Sequence, residues 1–298
     1  MDGFLNMLKP PGMSSNDLVC FVRRRLPRGT RVGHGGTLDP DAAGVLPVCV
    51  GRAARLFDYI IDKQKTYIAE LKLGVETDTQ DASGAVVARS DASRCTAKDV
   101  RAVLPGFTGE IDQIPPAYSA IKRDGKRMYA LARRGEAIEL EARRVRVDSI
   151  DYLQPAGRDA HLICVRCGKG VYIRTLCHDI GRALGVGAHM AFLLRSQAGC
   201  FDVQNSVTPE EFAAAAEENR IEPLLFPLDA PLGHIPPLTI NPAYEKQALN
   251  GVPMRPEWLD GRLPPGIMRL YLKGVFAGIG EMQADGLIRF KAMLWEKN

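Results

Sequence analysis

A chain of 298 residues with 46% apolar and 25% charged side chains can bury one large core, or a large and a small one, which excludes a disordered chain. No apolar run approaches the roughly 18 residues of a membrane helix, the opening MDGFLNMLKPPG lacks the basic and apolar regions of a signal peptide, and seven scattered cysteines form no disulfide framework. A soluble, cytoplasmic protein is expected, and its net charge of +4 permits a nucleic-acid ligand without arguing for one.

In chain order, Ser14 and Ser15 can cap a helix from Asn16 to about Leu26 that ends in Arg23, Arg24 and Arg25. A glycine-rich turn leads to a short apolar strand near Val45 to Val50, a helix near Arg52 to Ile61 and an alternating strand from Thr66 to Leu73. The run TDTQDASG, Thr77 to Gly84, is turn chemistry; it lacks the carboxylate a calcium loop needs at its twelfth position. Thr96 with Asp99 forms a capping box for a helix to about Leu104, and Gln113 to Glu141 reads as a basic insertion. Strands near Val145 to Tyr152 and His161 to Cys167 flank a turn, and a helix near Arg174 to Leu184 stops at Gly185. Thr208, Pro209 and Glu211 start another helix, and Pro227 to Pro237 is expected to be a linker. Beyond it, Asn241 and Pro242 open a short helix closed by Asn250 and Gly251, and alternating strands are divided at Lys273-Gly274 and Asp285-Gly286. The domains are therefore expected at 1–232 and 238–298, the second too small to be stable without packing on the first.

Several arrangements could carry chemistry. His161, Cys164, Cys167, Cys177 and His178 mimic a zinc set, but Cys164 and Cys167 on one alternating strand point to opposite faces, so thiols and no metal are expected. The GKG at Gly168 lacks the flanking residues of a phosphate-binding loop. In GHGGTLDP, Gly33 to Pro40, the proline holds Asp39 in an extended or turn conformation, and the glycines allow a ligand close to the backbone around His34. Taken alone, this reads as an ordinary surface turn.

Five ordered segments change that balance: KPPGMSS from Lys9, GHGGTLDPDAAGVLPVCVG from Gly33, KTYIAELKLG from Lys65 with TDTQD after it, QIPPAYSAIKRDGKRMYALARRG from Gln113, and GKGVYIRTLCHDIG from Gly168. Together, from Lys9 to Gly181, they resemble the tRNA pseudouridine-55 synthases. The resemblance implies an α+β fold, with a mixed, mainly antiparallel sheet in a pseudouridine synthase domain and a small β-rich, PUA-like C-terminal RNA-binding domain. It implies isomerisation of uridine 55 in the T loop of tRNA, on a base flipped out of the loop, with no cofactor.

Within the resemblance, Asp39 is the catalytic carboxylate, acting as nucleophile toward uracil or ribose or as a base on the sugar; the residues leave these routes open. Arg174 pairs with it, Tyr67 stacks on the flipped uracil, His34 occupies space beside the displaced nucleotide, and Leu194 lines the pocket beneath the base. Two departures stand out: Gly35 where the family usually has threonine, and Ser196 where a second arginine often follows Arg195. Between Lys122 and Arg146 nine Lys or Arg face four Asp or Glu, and the family uses this insertion to grip the T arm. Lys9, Lys122, Lys126, Arg127, Arg133 and Arg134 are expected on the tRNA backbone. Because the first motif starts at Lys9, a stand-alone monomer without an obligatory protein partner is expected. The alternatives are a guide-RNA-dependent pseudouridine synthase, or a tRNA-binding or folding module without catalysis.

Overall fold

The computed structural model describes residues 1–60, 64–116, 122–123, 126–127 and 141–295. The N-terminal strand β1 (Gly3–Lys9) is followed by α1 (Ser15–Arg23), β2 (Val32–His34) and β3 (Ala43–Val50). Where one helix is expected from Arg52, a 3₁₀ turn (Gly51–Leu56) runs into a single turn, α2 (Phe57–Ile60). Ala53 and Leu56 are both fully buried, and a spacing of three puts them on one face of a three-residue turn.

The chain continues through β4 (Lys65–Leu73), a hairpin of β5 (Val75–Thr77) and β6 (Val86–Arg89), α3 (Ala97–Val103), β7 (Gly109–Gln113) and the two-residue strands β8 (Lys122–Arg123) and β9 (Lys126–Arg127). Then come β10 (Arg143–Pro155), β11 (Ala160–Cys167), α4 (Ile173–Ala183), β12 (Ala188–Ala198), β13 (Phe201–Asp202), α5 (Pro209–Glu217) and β14 (Leu225–Phe226). The main sheet runs β14-β1-β3-β12-β4-β11-β10-β7, with β2 beside β3 and β13 beside β12. Among these pairs only β12 and β3 are parallel, so the sheet is mixed and mainly antiparallel.

Three apolar faces hold this sheet. Leu176, Cys177 and Ile180 of α4 pack on Ala69, Leu71, Ile163 and Val165, while Leu18 and Val22 of α1 and Phe212 of α5 cover Leu5, Met7, Leu46 and Val48. A third cluster runs through the expected linker: Leu232 and Ile235, 0% and 1% exposed, join Phe4, Cys49 and Phe201 to Ile279 and Leu294. The segment Pro227 to Pro237 is thus a packed connection, corrected from a free linker, because its prolines alternate with apolar residues that find a core.

The second sheet has its own core. Its order is β16-β15-β17-β18-β19, built from β15 (Pro237–Ile240), α6 (Glu245–Leu249), β16 (Leu259–Asp260), β17 (Ile267–Leu272), β18 (Val275–Met282) and β19 (Ile288–Met293). Leu238, Ile240, Ala248, Met268, Leu270 and Ile288 fill it. Arg52 and Arg55 donate hydrogen bonds to the Leu294 and Met293 carbonyls, fastening the end of this module to the turn after β3. Among the described residues no helix is long and apolar enough to cross a membrane.

Candidate active site

The glycine-rich turn forms the connection between β2 and β3, which pair antiparallel with His34 opposite Val48. Loop residues Gly35 to Ala42 gain rigidity from distant donors. Ser15 Oγ donates to the Leu38 carbonyl at 3.0 Å and accepts from the Leu38 N–H at 2.9 Å. Arg195, fully buried on β12, donates Nη2 to Gly36 O at 3.1 Å and Nε to Val45 O at 2.7 Å. Gly44 carries φ +118°, and a Cβ there would lie 2.2 Å from the Arg195 carbonyl, so only glycine allows β3 and β12 to approach beside the loop.

Lys9 corrects an expectation. Its side chain is fully buried, and Nζ donates to Pro40 O at 2.9 Å, Pro10 O at 2.8 Å and Met13 O at 2.6 Å, so it holds the loop from inside and offers nothing to an RNA backbone. Burial lowers its pKa to about 8, against the pull of Asp41 and Asp39. Lys9→Met leaves three carbonyls without their donor; at about 1 kcal/mol or more for each, unfolding by urea should show a loss of about 3 kcal/mol. A midpoint unchanged from wild type would show that the loop holds without this ammonium.

Asp39 projects from the pinned loop toward α4. Arg174, second residue of α4 and only 6% exposed, meets it side-on, Nε to Oδ2 at 3.0 Å and Nη2 to Oδ1 at 3.4 Å. The start of α4 has no side-chain cap of its own; buried Gln113 supplies the contacts, accepting from Tyr172 N at 2.8 Å and donating to Tyr172 O at 3.0 Å. The other edge of the guanidinium reaches Asp81 Oδ2 at 3.2 Å.

Asp81 is a residue that sequence reading assigned to a plain turn. Its Oδ1 accepts from Thr79 Oγ1 at 2.7 Å and from Ser83 Oγ and N at 2.6 and 3.0 Å. The turn is stitched to β12 by Met190 N to Gln80 O and Ala82 N to Met190 O, and Gln80 sits at φ +63°. The Thr-x-Asp-x-Ser pattern was the available signal: a carboxylate flanked by hydroxyls at two-residue spacing fixes itself in an Asx-type turn.

One arginine thus spans two acids of opposite tendency. For Asp39, burial pushes the pKa up, Arg174 opposes, and Asp81 pushes it up further, for a net rise. Asp81 also suffers from burial, but the Ser83 and Thr79 hydrogen bonds and the Arg174 charge outweigh it and hold its pKa below the ordinary value. With 38% of its side-chain surface open, Asp39 is the member of the trio that a ligand can reach.

The remaining expected residues gather around this trio to different degrees. Tyr67 lies on β4 opposite Arg195 and packs with Leu38 and Ala42; burial raises its phenol pKa, while the Arg195 guanidinium, hydrogen-bonded to it, opposes. His34 is half-buried; burial and then Arg195 lower its pKa, so it is neutral at pH 7, and its Nδ1 has no hydrogen-bond partner among the described residues. Leu194, partly exposed on β12, stands beside Ala43. Lys122 pairs with Arg127 and Arg123 with Lys126 across β8 and β9, while Arg133 and Arg134 lie outside the described residues. Cys167 and Cys177 are buried and their thiols pushed up to about 12, which leaves them inert.

Comparison with known proteins agrees with this architecture. Residues 23–173 match the TruB family pseudouridylate synthase N-terminal domain, and residues 174–233 match the tRNA pseudouridylate synthase B C-terminal domain. The tRNA pseudouridine synthase B of Symbiobacterium thermophilum is 49% identical over 254 residues, covering 85% of this chain and 83% of that protein. That of Alkaliphilus oremlandii is 41% identical across the full length of both. Among solved structures, an H/ACA RNP bound to a substrate RNA containing 2'-deoxyuridine matches with a TM-score of 0.74 at 22% identity, over 99% of this chain and 86% of that one. A Cbf5-Nop10-Gar1 complex matches with a TM-score of 0.71 at 26% identity, over 99% and 84%.

Proposed function

This chain belongs to the TruB family of pseudouridylate synthases, and from that premise we propose that it isomerises uridine 55 in the T loop of tRNA, alone and without a guide RNA, with Asp39 as the catalytic carboxylate. The enzyme class is that of the family, an isomerase that converts uridine in tRNA to pseudouridine. The observation that carries the finer reading is the side-on grip of Arg174 on Asp39, a partly open carboxylate on a loop whose backbone is fixed by Ser15, Lys9 and Arg195.

The reaction breaks the bond from ribose C1′ to uracil N1, turns the base, joins C1′ to C5 and releases the C5 proton, while N1 ends protonated. Nothing is oxidised or reduced. The chain's task is to extrude the base, hold it while detached and offer an ionised carboxylate in a site that excludes water. As nucleophile or as base, Asp39 must be charged, and burial alone would neutralise it; the Arg174 guanidinium counters this and fixes its orientation. Tyr67 gives the uracil a face on which to stack, neutral His34 fills the place the base leaves, and Leu194 lines the floor of the pocket. The full-length likeness to a relative named for tRNA favours this reading over a guide-dependent one.

The domains fit the same scheme: residues 1–232 for catalysis and 238–298 as a PUA-like RNA-binding module, working in the cytoplasm on the T stem-loop. Tritium release from C5 of uridine in unmodified tRNA tests the activity, and no release by the wild-type protein would end the proposal. The basic insertion predicts a steep fall of tRNA affinity with salt. Each phosphate contact contributes about 0.9 to the slope of log affinity against log salt. Alanine at Lys126, Arg133 and Arg134 should therefore lower the slope by about 2 to 3, and an unchanged slope would remove these residues from the interface.

A further inference from the structure

Between Leu18 and Leu38 the chain carries five arginines and no aspartate or glutamate. Arg23, Arg24 and Arg25 end α1, Arg28 and Arg31 follow in the turn before β2, and all five are exposed. The apolar side of α1, with Leu18, Val19 and Val22, faces the core, so the charges project from the outer side of the same element.

Two of the five are organised by neutral groups: Arg23 Nη2 donates to Val32 O at 2.9 Å, and Arg25 lies 3.7 Å above the Phe21 ring while bonding Phe21 O. The side chains of Arg24, Arg28 and Arg31 make no hydrogen bond or ion pair with any described residue. Five like charges on nine residues repel one another, and the acid on the same helix, Asp17 in its first turn, is held by Ser14 and offsets only part of Arg24. Exposed guanidinium forks match the paired oxygens of phosphate groups.

The position of this patch gives it a use. Arg31 O accepts from Gly51 N at 2.8 Å, and the strand that leaves Arg31 delivers His34 and then the Asp39 loop. The basic insertion departs from β7 and returns at β10, at the far edge of the sheet, separated from β3 by β12, β4 and β11. The arginine segment that leads into the Asp39 loop and the roots of the insertion are therefore three strands apart in the sheet. Resting on the function proposed above, we infer that Arg24, Arg28 and Arg31 form a second RNA surface, holding phosphates of the substrate tRNA on the side of the flipped nucleotide opposite the insertion.

The test is filter binding of an unmodified tRNA transcript over a series of salt concentrations, with Arg24→Ala/Arg28→Ala/Arg31→Ala against wild type. The slope should fall by about 2 to 3, KM should rise at low salt, and kcat at saturating tRNA should stay unchanged, since none of the three touches the reacting atoms. The triple lysine variant, which keeps the charge, should retain the slope. Unchanged affinity and slope in the alanine variant, with a wild-type melting temperature, would overturn the inference. So would capture by phosphatidylserine vesicles that the variant loses while its tRNA binding stays intact. Wild type that binds tRNA but releases no tritium would overturn the enzymatic reading alone, since filter binding does not depend on turnover.

Discussion

Asp39→Asn should abolish tritium release from tRNA, by about 10⁴-fold or more, while leaving tRNA binding within a few-fold of wild type. Removing one member of a catalytic set commonly costs on the order of 10⁴-fold in turnover. Asparagine keeps the shape and one acceptor for Arg174 but can neither attack nor take a proton. The loop itself should not move, because its fixed points are the Leu38, Pro40 and Gly36 backbones and not the Asp39 side chain. The same variant makes a second, oppositely signed forecast. The Asp39 pKa in the folded chain stands above its unfolded value near 3.8, so the carboxyl contributes stability below that pH and loses it as pH rises through the folded value. At pH 7 the wild type therefore bears the cost of a charge that catalysis needs, and Asp39→Asn should melt at a higher temperature, the difference shrinking toward pH 4. A variant that is inactive and also clearly less stable at pH 7 would show that Arg174 pairing, and not burial, dominates at this carboxylate. In wild type, kcat/KM should rise with pH through the displaced Asp39 pKa, with its acid limb above the ordinary aspartate value.

The parts of this molecule that the sequence displays are those whose causes lie within a few residues. Ser14 with Asp17, Thr96 with Asp99 and Thr208 with Glu211 each form a reciprocal capping box, and each helix starts there. The strand β4 is buried at every second residue, and its alternation is plain in the sequence. By contrast, β12 at the centre of the sheet escaped notice: bulges at Met190/Phe192 and Arg195/Gln197 break its period, and both faces are partly covered. The site divides along the same line. Asp39, His34, Tyr67 and Arg174 stand in motifs that can be recognised as residues in order. The supports cannot: Lys9 to Pro40 and Arg195 to Gly36 join residues 31 and 159 positions apart. A buried cation ringed by carbonyls has the same letter as an exposed one, which is why Lys9 read as a phosphate ligand.

Asp81→Asn is the variant that separates orientation from chemistry. Asp81 is less open than Asp39; it touches the opposite edge of Arg174 and is itself held by Thr79 and Ser83. Without its charge, Arg174 keeps one acid in place of two and can swing about the Asp39 contact, and misplacement of a reacting group by about 1 Å costs on the order of 10²-fold in rate. The expected result is a fall in kcat of about that size with KM little changed, since Asp81 is mostly covered and acts through Arg174. The pH profile distinguishes this from simple loss of structure. Asp81 pushes the Asp39 pKa up, so its neutralisation should move the acid limb to lower pH even as the maximum rate drops. Arg174→Lys, which keeps a charge but has no fork to span both carboxylates, should cost a similar factor, and combining the two should cost much less than their product because both break the same bridge. Multiplicative losses in the double variant, or an acid limb that stays in place in Asp81→Asn, would mean that the two acids act independently and that the shared arginine is not what orients Asp39.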